Sequence, residues 1–136
     1  MSAKLVYICV VLNTNLASKY PIFGINKVLS HHTRKRAFKT IHAEMDAISK
    51  IYHLMKKNNK TKIKIDILVI LITRNRELKM SRPCYHCIRK LSKLKHIVIN
   101  NVYYSNSSGT ISKEKLSHMI NNTTYLSKAH RHFNYS

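Results

Sequence analysis

Two short segments hold the side chains best suited to chemistry: His42-Ala43-Glu44 and Pro83-Cys84-Tyr85-His86-Cys87. One imidazole and two thiols spaced as C-x-x-C are nitrogen and sulfur donors of the kind zinc prefers. Three protein ligands leave a tetrahedral ion one open position for water, and open positions mark catalytic rather than structural zinc. Zinc lowers the pKa of a bound water toward neutrality, and Glu44 is placed in sequence to take that water's proton and pass it on. The alternative is a closed site with Cys9, His86 or another histidine as fourth ligand, which leaves Glu44 without a task. For the C-x-x-C alone, a redox pair or two buried thiols would also account for the spacing.

The elements that must position these groups are legible from periodicity. A helix is expected over Ala43–Lys57, where Glu44, Ile48, Ile51 and Met55 form one stripe facing the core. A lone carboxylate on such a stripe is costly unless it finds a partner. Asp46 lies off the stripe and suits an ordinary acid near a helix N-terminus. Pro83 opens a second helix to about Lys95, with Cys84, Cys87, Ile88, Leu91 and Leu94 on its inner stripe and Arg89, Lys90, Lys93 and Lys95 off it. Thiols in a first helical turn are stabilised as thiolates, the form that binds zinc. His42 and Glu44 converge only if the first helix starts between them.

Strands are expected at Leu5–Leu12, Ile22–Leu29, Ile65–Thr73 and Ile97–Tyr104, with a turn at Asn106–Gly109 and a hairpin strand at Thr110–Lys113. Cys9 falls in an apolar run and reads as a small buried hydrophobe. Strands alternating with helices predict an α/β sandwich, whose ligands bind beyond the carboxyl ends of strands. The 136 residues fit one domain over 1–136, with residues 121–136 a tail that could pack, bind substrate or stay loose. No apolar stretch approaches the roughly 20 residues that span a bilayer. The expectation is an intracellular protein, cytoplasmic or nuclear, without a membrane partner.

Lys and Arg number 25 against 5 Asp and Glu, a formal net charge of +20. Such a surface attracts phosphate polymers. The basic run Arg34-Lys35-Arg36 leads toward His42, and Arg74, Arg76, Lys79 and Arg82 lead toward Cys84. Solvated loop charge explains each run singly; their coincidence with both segments suggests a phosphate track at the mouth of the site. Phe38, Tyr85, Tyr103 and Tyr104 are aromatics on which bases could stack, and strand alternation sends one of Tyr103 and Tyr104 inward.

The paired segments resemble the zinc-dependent cytidine deaminase superfamily, whose signature is H-x-E followed by P-C-x-x-C. The resemblance extends from about Leu5 to Tyr104. It implies a three-layer α/β/α sandwich with a mixed five-stranded sheet. The implied activity is that of a hydrolase acting on C–N bonds of cyclic amidines, with Glu44 catalytic and one zinc on His42, Cys84 and Cys87. Gly24-Ile25-Asn26 matches a family segment whose asparagine binds substrate, although Gly and Asn also favour a turn at a strand end. Ala43, Arg82, Tyr85, Tyr103 and Tyr104 complete the candidate substrate contacts.

Three departures stand out. The stretch Met45–Arg82 is longer than in many relatives, with the excess expected in Asn58–Lys64 as a loop and Arg74–Lys79 as a hairpin. Arg82 stands where many relatives have Ser or Glu. The Asn106–Gly109 turn suggests an antiparallel fifth strand, as in free-nucleoside deaminases. The first expectation is deamination of cytosine in single-stranded DNA or RNA. The others are a deaminase of free cytidine, deoxycytidine or their monophosphates, a transfer-RNA adenosine deaminase, and a zinc-stabilised nucleic-acid-binding module without turnover.

Overall fold

In a computed structural model of the chain, residues 3–14, 16, 21–29 and 39–121 are described, with side chains from residue 5 in the first stretch, to 26 in the third and from 43 in the last. The most apolar run of the chain forms the middle of the sheet, as β3 (Ile63–Thr73). Its neighbours are β1 (Ala3–Leu12), antiparallel, and β5 (Ile97–Ser105), parallel. β2 (Phe23–Leu29) lies outside β1, and β6 (Ile111–Lys115) outside β5, both antiparallel. The two-residue β4 (Leu78–Lys79) pairs with the end of β3.

The sheet is therefore mixed and six-stranded, with order β2-β1-β3-β5-β6 and β4 off that path. This corrects the expected five strands: the sixth is the hairpin return anticipated at Arg74–Lys79. Arg76 reverses the chain there with φ 64, and the Thr73 amide donates to the Glu77 carbonyl at 3.0 Å. The β5–β6 hairpin is antiparallel, as the Asn106–Gly109 turn suggested. Gly109 supplies the left-handed residue (φ 84). The Asn106 carboxamide oxygen accepts from the amides of Ser108 and Thr110.

Alternation along the strands sorts their side chains. Cys9 and Val11 of β1, and Ile65, Ile67, Val69 and Leu71 of β3, are buried. Ile8, Val10, Leu68 and Ile70, on the other face, are only partly so. Between Ile65 and Ile67 the β3–β5 register slips, because β5 carries an extra residue: Ile65 faces Ile99, but Ile67 faces Val102. The Asn101 amide freed by this bulge donates to the Asp66 carboxylate at 2.8 Å, and Asn13 donates to the same group.

Helices α1 (Lys39–Lys57) and α2 (Tyr85–Ser92) and a third helix, α3 (116–121), send Ile48, Ile51, Ile88, Leu91, Leu116 and Met119 into one cluster with the buried strand residues. The sheet and this helical cover make up the α/β arrangement of the described residues. No helix among them is long and apolar enough to cross a membrane.

Two helix boundaries differ from expectation. The first helix begins at Lys39 rather than Ala43, so it does not start between His42 and Glu44. α2 is confined to Tyr85–Ser92, with Cys84 as its N-cap residue. The C-terminus of α1 follows local chemistry: Asn59 adopts φ 56 and the Lys60 amide donates to the Met55 carbonyl at 2.8 Å, an asparagine-based left-handed cap.

Gly24 fixes where α1 lies. It sits within β2, paired with Cys9, and is not a strand-end turn. A Cβ there would come within 2.2 Å of the Ala43 carbonyl oxygen and 2.5 Å of the Ala47 nitrogen. Only glycine lets the strand pass so close to the helix backbone. Alongside, Asp46 accepts from the Ile25 amide at 3.2 Å and Lys50 donates to the Phe23 carbonyl at 2.7 Å, so α1 covers the open edge of β2. Asp46 thus serves this edge rather than a helix terminus. Gly24→Ala must push α1 away from β2, and is expected to cost roughly 1–3 kcal/mol, the range of overpacked cores. A urea midpoint equal to that of the native chain would show that the approach is not constrained.

Candidate active site

Glu44 is completely buried, at 0% exposure, on the stripe it shares with Ile48 and Ile51. Neither of its carboxylate oxygens has a hydrogen-bond partner among the described residues. Removal from water pushes its carboxyl up to about 8, and the charge of Cys84 adds to the rise while its own backbone N–H opposes it. Cys9 lies beneath it on β1, 0% exposed, its thiol pushed well up by burial and then by Glu44.

The two thiols of the second segment stand together. Cys84 Sγ lies 3.4 Å from Cys87 Sγ, well beyond the ~2.05 Å of a disulfide. Cys87 is buried, but Cys84 is exposed, which corrects the expectation that both point inward. As N-cap residue, with ψ 170, Cys84 leaves the helical path before the inner stripe begins. Its thiol is lowered to about 5, first by the Cys87 side chain and then by the backbone amides of Cys87 and His86 and the His86 ring. Those amides are the unpaired donors of a helix start.

The segment carrying the thiols is pinned where β3 and β5 separate. Ser81 is 2% exposed and Ser105 0%. The Ser81 hydroxyl donates to the Val69 carbonyl at 2.7 Å, and its amide donates to the Ser105 carbonyl at 2.9 Å. The Ser105 hydroxyl donates to the Lys79 carbonyl at 2.7 Å. One residue on, Arg82 grips Glu114 of β6 with Nε at 2.7 Å and Nη2 at 3.2 Å. Tyr104 donates its hydroxyl to the same carboxylate at 2.5 Å. The Arg82 bond holds the Glu114 carboxyl below its ordinary value.

These contacts place the remaining candidates. Arg82 and Tyr104 are joined to Glu114, and Tyr104 is the inward member of its pair at 8% exposure. Tyr103 is half-buried on the opposite face, with Lys113 Nζ 5.8 Å from its ring centroid. Tyr85 is half-buried between the guanidinium of Arg89 (5.4 Å) and the ring of His86 (5.7 Å). Ala43 is buried against Gly24, and Asn26 faces Tyr7 across the β1–β2 ladder. Arg74, Arg76 and Lys79 are exposed on or beside the β3–β4 hairpin. Arg34, Lys35, Arg36, Phe38, the side chain of His42 and residues 122–136 lie outside the described residues.

Tyr7 joins the site without having been singled out from the sequence. Its hydroxyl is pushed up by burial, and then by the charges of Glu44, Cys87 and Cys84. The available signal was a phenol two residues before Cys9 in an otherwise aliphatic strand. Ser81, Ser105 and Glu114 gave no signal, since their roles depend on partners distant in sequence.

The described part of the donor set fits zinc. Two thiolates on one tetrahedral ion at ~2.3 Å from the metal lie about 3.8 Å apart, close to the separation found. The buried carboxylate beside them has no hydrogen-bond partner among the described residues. Among the described residues no three His, Cys, Asp or Glu side chains converge as a metal site, so neither Cys9 nor His86 joins the two thiols. The third ligand would be His42. A regular helix turns about 200° between His42 and Glu44, so their convergence requires the first turn of α1 to depart from regular geometry.

The burial of Glu44 has a consequence for stability. Its folded-state pKa lies above its unfolded value, so ionisation favours the unfolded chain as pH rises from about 4.5 to about 8. In metal-free protein, Glu44→Gln is expected to be more stable than the native chain at pH 7, by on the order of 1–3 kcal/mol. The gap should close toward pH 4.5. Denaturant titrations of both proteins across this range check it, and a gap independent of pH would contradict the buried, partnerless placement. Comparison of the chain with protein-family models, with curated proteins and with solved structures finds no match in any of the three.

Proposed function

We propose that the protein is a zinc-dependent hydrolase that replaces the exocyclic amine of a nucleobase, cytosine first, with a carbonyl oxygen and releases ammonia. The observation that carries this reading is the fully buried Glu44 carboxylate, without a hydrogen-bond partner among the described residues, beside the paired thiols of Cys84 and Cys87. A structural carboxylate would have acquired a partner; a proton carrier must keep its oxygens available.

Zinc on Cys84, Cys87 and His42 would supply the Lewis acidity that hydrolysis at neutral pH requires. The rest falls to the chain. With its carboxyl pushed up to about 8, Glu44 exchanges protons near neutrality, as a group that both accepts and donates in one cycle must. It would take a proton from the attacking water and give it to the ring nitrogen as the new C–O bond forms, then pass the remaining hydroxyl proton to the amine, which leaves as ammonia when the C–N bond breaks and the carbonyl forms. Tyr7 and Asn26, opposite one another on β1 and β2, would form the wall beside the base.

Cytosine in single-stranded nucleic acid is the substrate that the net charge of +20 favours. A specific observation favours a second reading, a free nucleoside or its monophosphate: β6 runs antiparallel to β5, the arrangement that the family resemblance links to free-nucleoside deaminases.

Incubating zinc-loaded protein with cytosine-containing oligonucleotides, and separately with cytidine, deoxycytidine and their monophosphates, tells the two apart by where uracil appears. Adenine-containing transfer RNA tests the remaining base. Glu44→Gln is expected to lower turnover by ~10²–10⁴ while retaining zinc, and Cys84→Ser to lose the metal. Binding without product on any substrate would sink the enzymatic reading and leave a zinc-stabilised binding module.

A further inference from the structure

The end of the molecule remote from Glu44 is built from the C-termini of α1 and α2 and the amino ends of β3 and β5. Three hydrogen bonds gather it. The Tyr52 hydroxyl donates to the Lys95 carbonyl at 2.6 Å. The amides of Ile63 and Lys60 donate to the carbonyls of His96 (2.9 Å) and Met55 (2.8 Å). Residues 52–64 and 93–97 thereby form one surface.

That surface is basic and lacks compensation. Lys56, Lys57, Lys60, Lys62, Lys93 and Lys95 are all exposed. Among the described residues no exposed carboxylate shares this end. Asp46 is engaged with Lys50 further up α1, Glu77 lies in the β3–β4 turn, Glu114 is held by Arg82, and Asp66 is buried. Lys56 and Lys57 complement the negative end of the α1 dipole, which accounts for two of the six. The others repel one another in the absence of a polyanion.

We infer that this end is a second docking surface, which holds the phosphate backbone of a polynucleotide away from the reacting base. The inference rests on the proposed function for the role it gives the strand, though not for the binding itself. A membrane is the weaker fit. An interfacial surface needs bulky apolar side chains among its lysines, and of the exposed large hydrophobics among the described residues only Val98 lies at this end.

The length of α1 sets a scale. From Glu44 to Lys57 the helix rises about 20 Å, further than the single internucleotide step of a dinucleotide even when fully extended. A dinucleotide reaches the site or the basic end, but not both.

The test uses the full chain, carrying Lys57→Gln, Lys60→Gln, Lys62→Gln and Lys95→Gln together. Binding of labelled single strands of 2 and 20 nucleotides is measured across a salt series. A second variant loses the same charge elsewhere, by Lys90→Glu and Lys115→Glu. The first variant is expected to bind the 20-mer at least tenfold more weakly, with a salt slope shallower by up to about 2.8, and to bind the dinucleotide as native protein does. Equal weakening by the second variant would reduce the effect to net charge and overturn the proposal. So would native protein that binds phosphatidylserine vesicles but not the strands. Unaltered length-dependent binding without uracil in any product would remove the deaminase reading and leave this surface standing.

Discussion

A carboxyl group sealed from water, with no hydrogen-bond partner among the described residues, is the constraint around which this fold is arranged. Desolvation of an ionised carboxylate costs several kcal/mol, so Glu44 stays in place only because α1 cannot rotate or retreat. The helix is fixed on one side by the stripe of Ile48, Ile51 and Met55 and on the other by Asp46 and Lys50 along the edge of β2. The missing side chain at Gly24 brings strand and helix backbones into contact. A looser junction would admit water and relieve the carboxylate.

The thiols are held by different physics. Cys84 and Cys87 ride on a loop and a short helix, and short helices contribute little rigidity of their own. The buried Ser81–Ser105 hydrogen bonds tie that loop to the ends of β3 and β5, and the Arg82–Glu114 pair ties it to β6. The acidic partner comes from the hairpin strand, so the antiparallel turn of β5 into β6 bears directly on the geometry near the paired thiols. A Ser or Glu at position 82 could not bridge to Glu114 as a guanidinium does.

What the sequence disclosed divides along a physical line. Periodicity exposed the strands, the buried stripe of α1 and the hairpin turns at Arg74–Lys79 and Asn106–Gly109, because local chemistry determines each of them. It misplaced helix ends: α1 begins earlier than its apolar stripe, and Cys84 caps α2 instead of lying within it. Roles created by non-local approach were invisible. Gly24 read as part of a substrate-binding segment or a strand-end turn, because nothing near it in sequence announces the α1 backbone, and Tyr7 read as one strand residue among several. Glu114, Ser81 and Ser105 acquire meaning only from partners many residues away. The paired thiols and Glu44 stood out most readily, since their types are uncommon and each segment is short and contiguous in sequence.

The extra residue in β5 governs which aromatic ring the strand delivers inward. Before the irregularity, odd-numbered residues face the helices; after it, Val102 and Tyr104 do. A regular ladder through both Asn100 and Asn101 would reverse that phase. Tyr103 would then face the helices in place of Tyr104, and with the β5–β6 pairing kept the downstream strand would turn Lys113 and Lys115 to that side and Glu114 away from it. Deleting one of the two asparagines would remove the bulge and keep the phase, so an insertion here should be far less tolerated than that deletion.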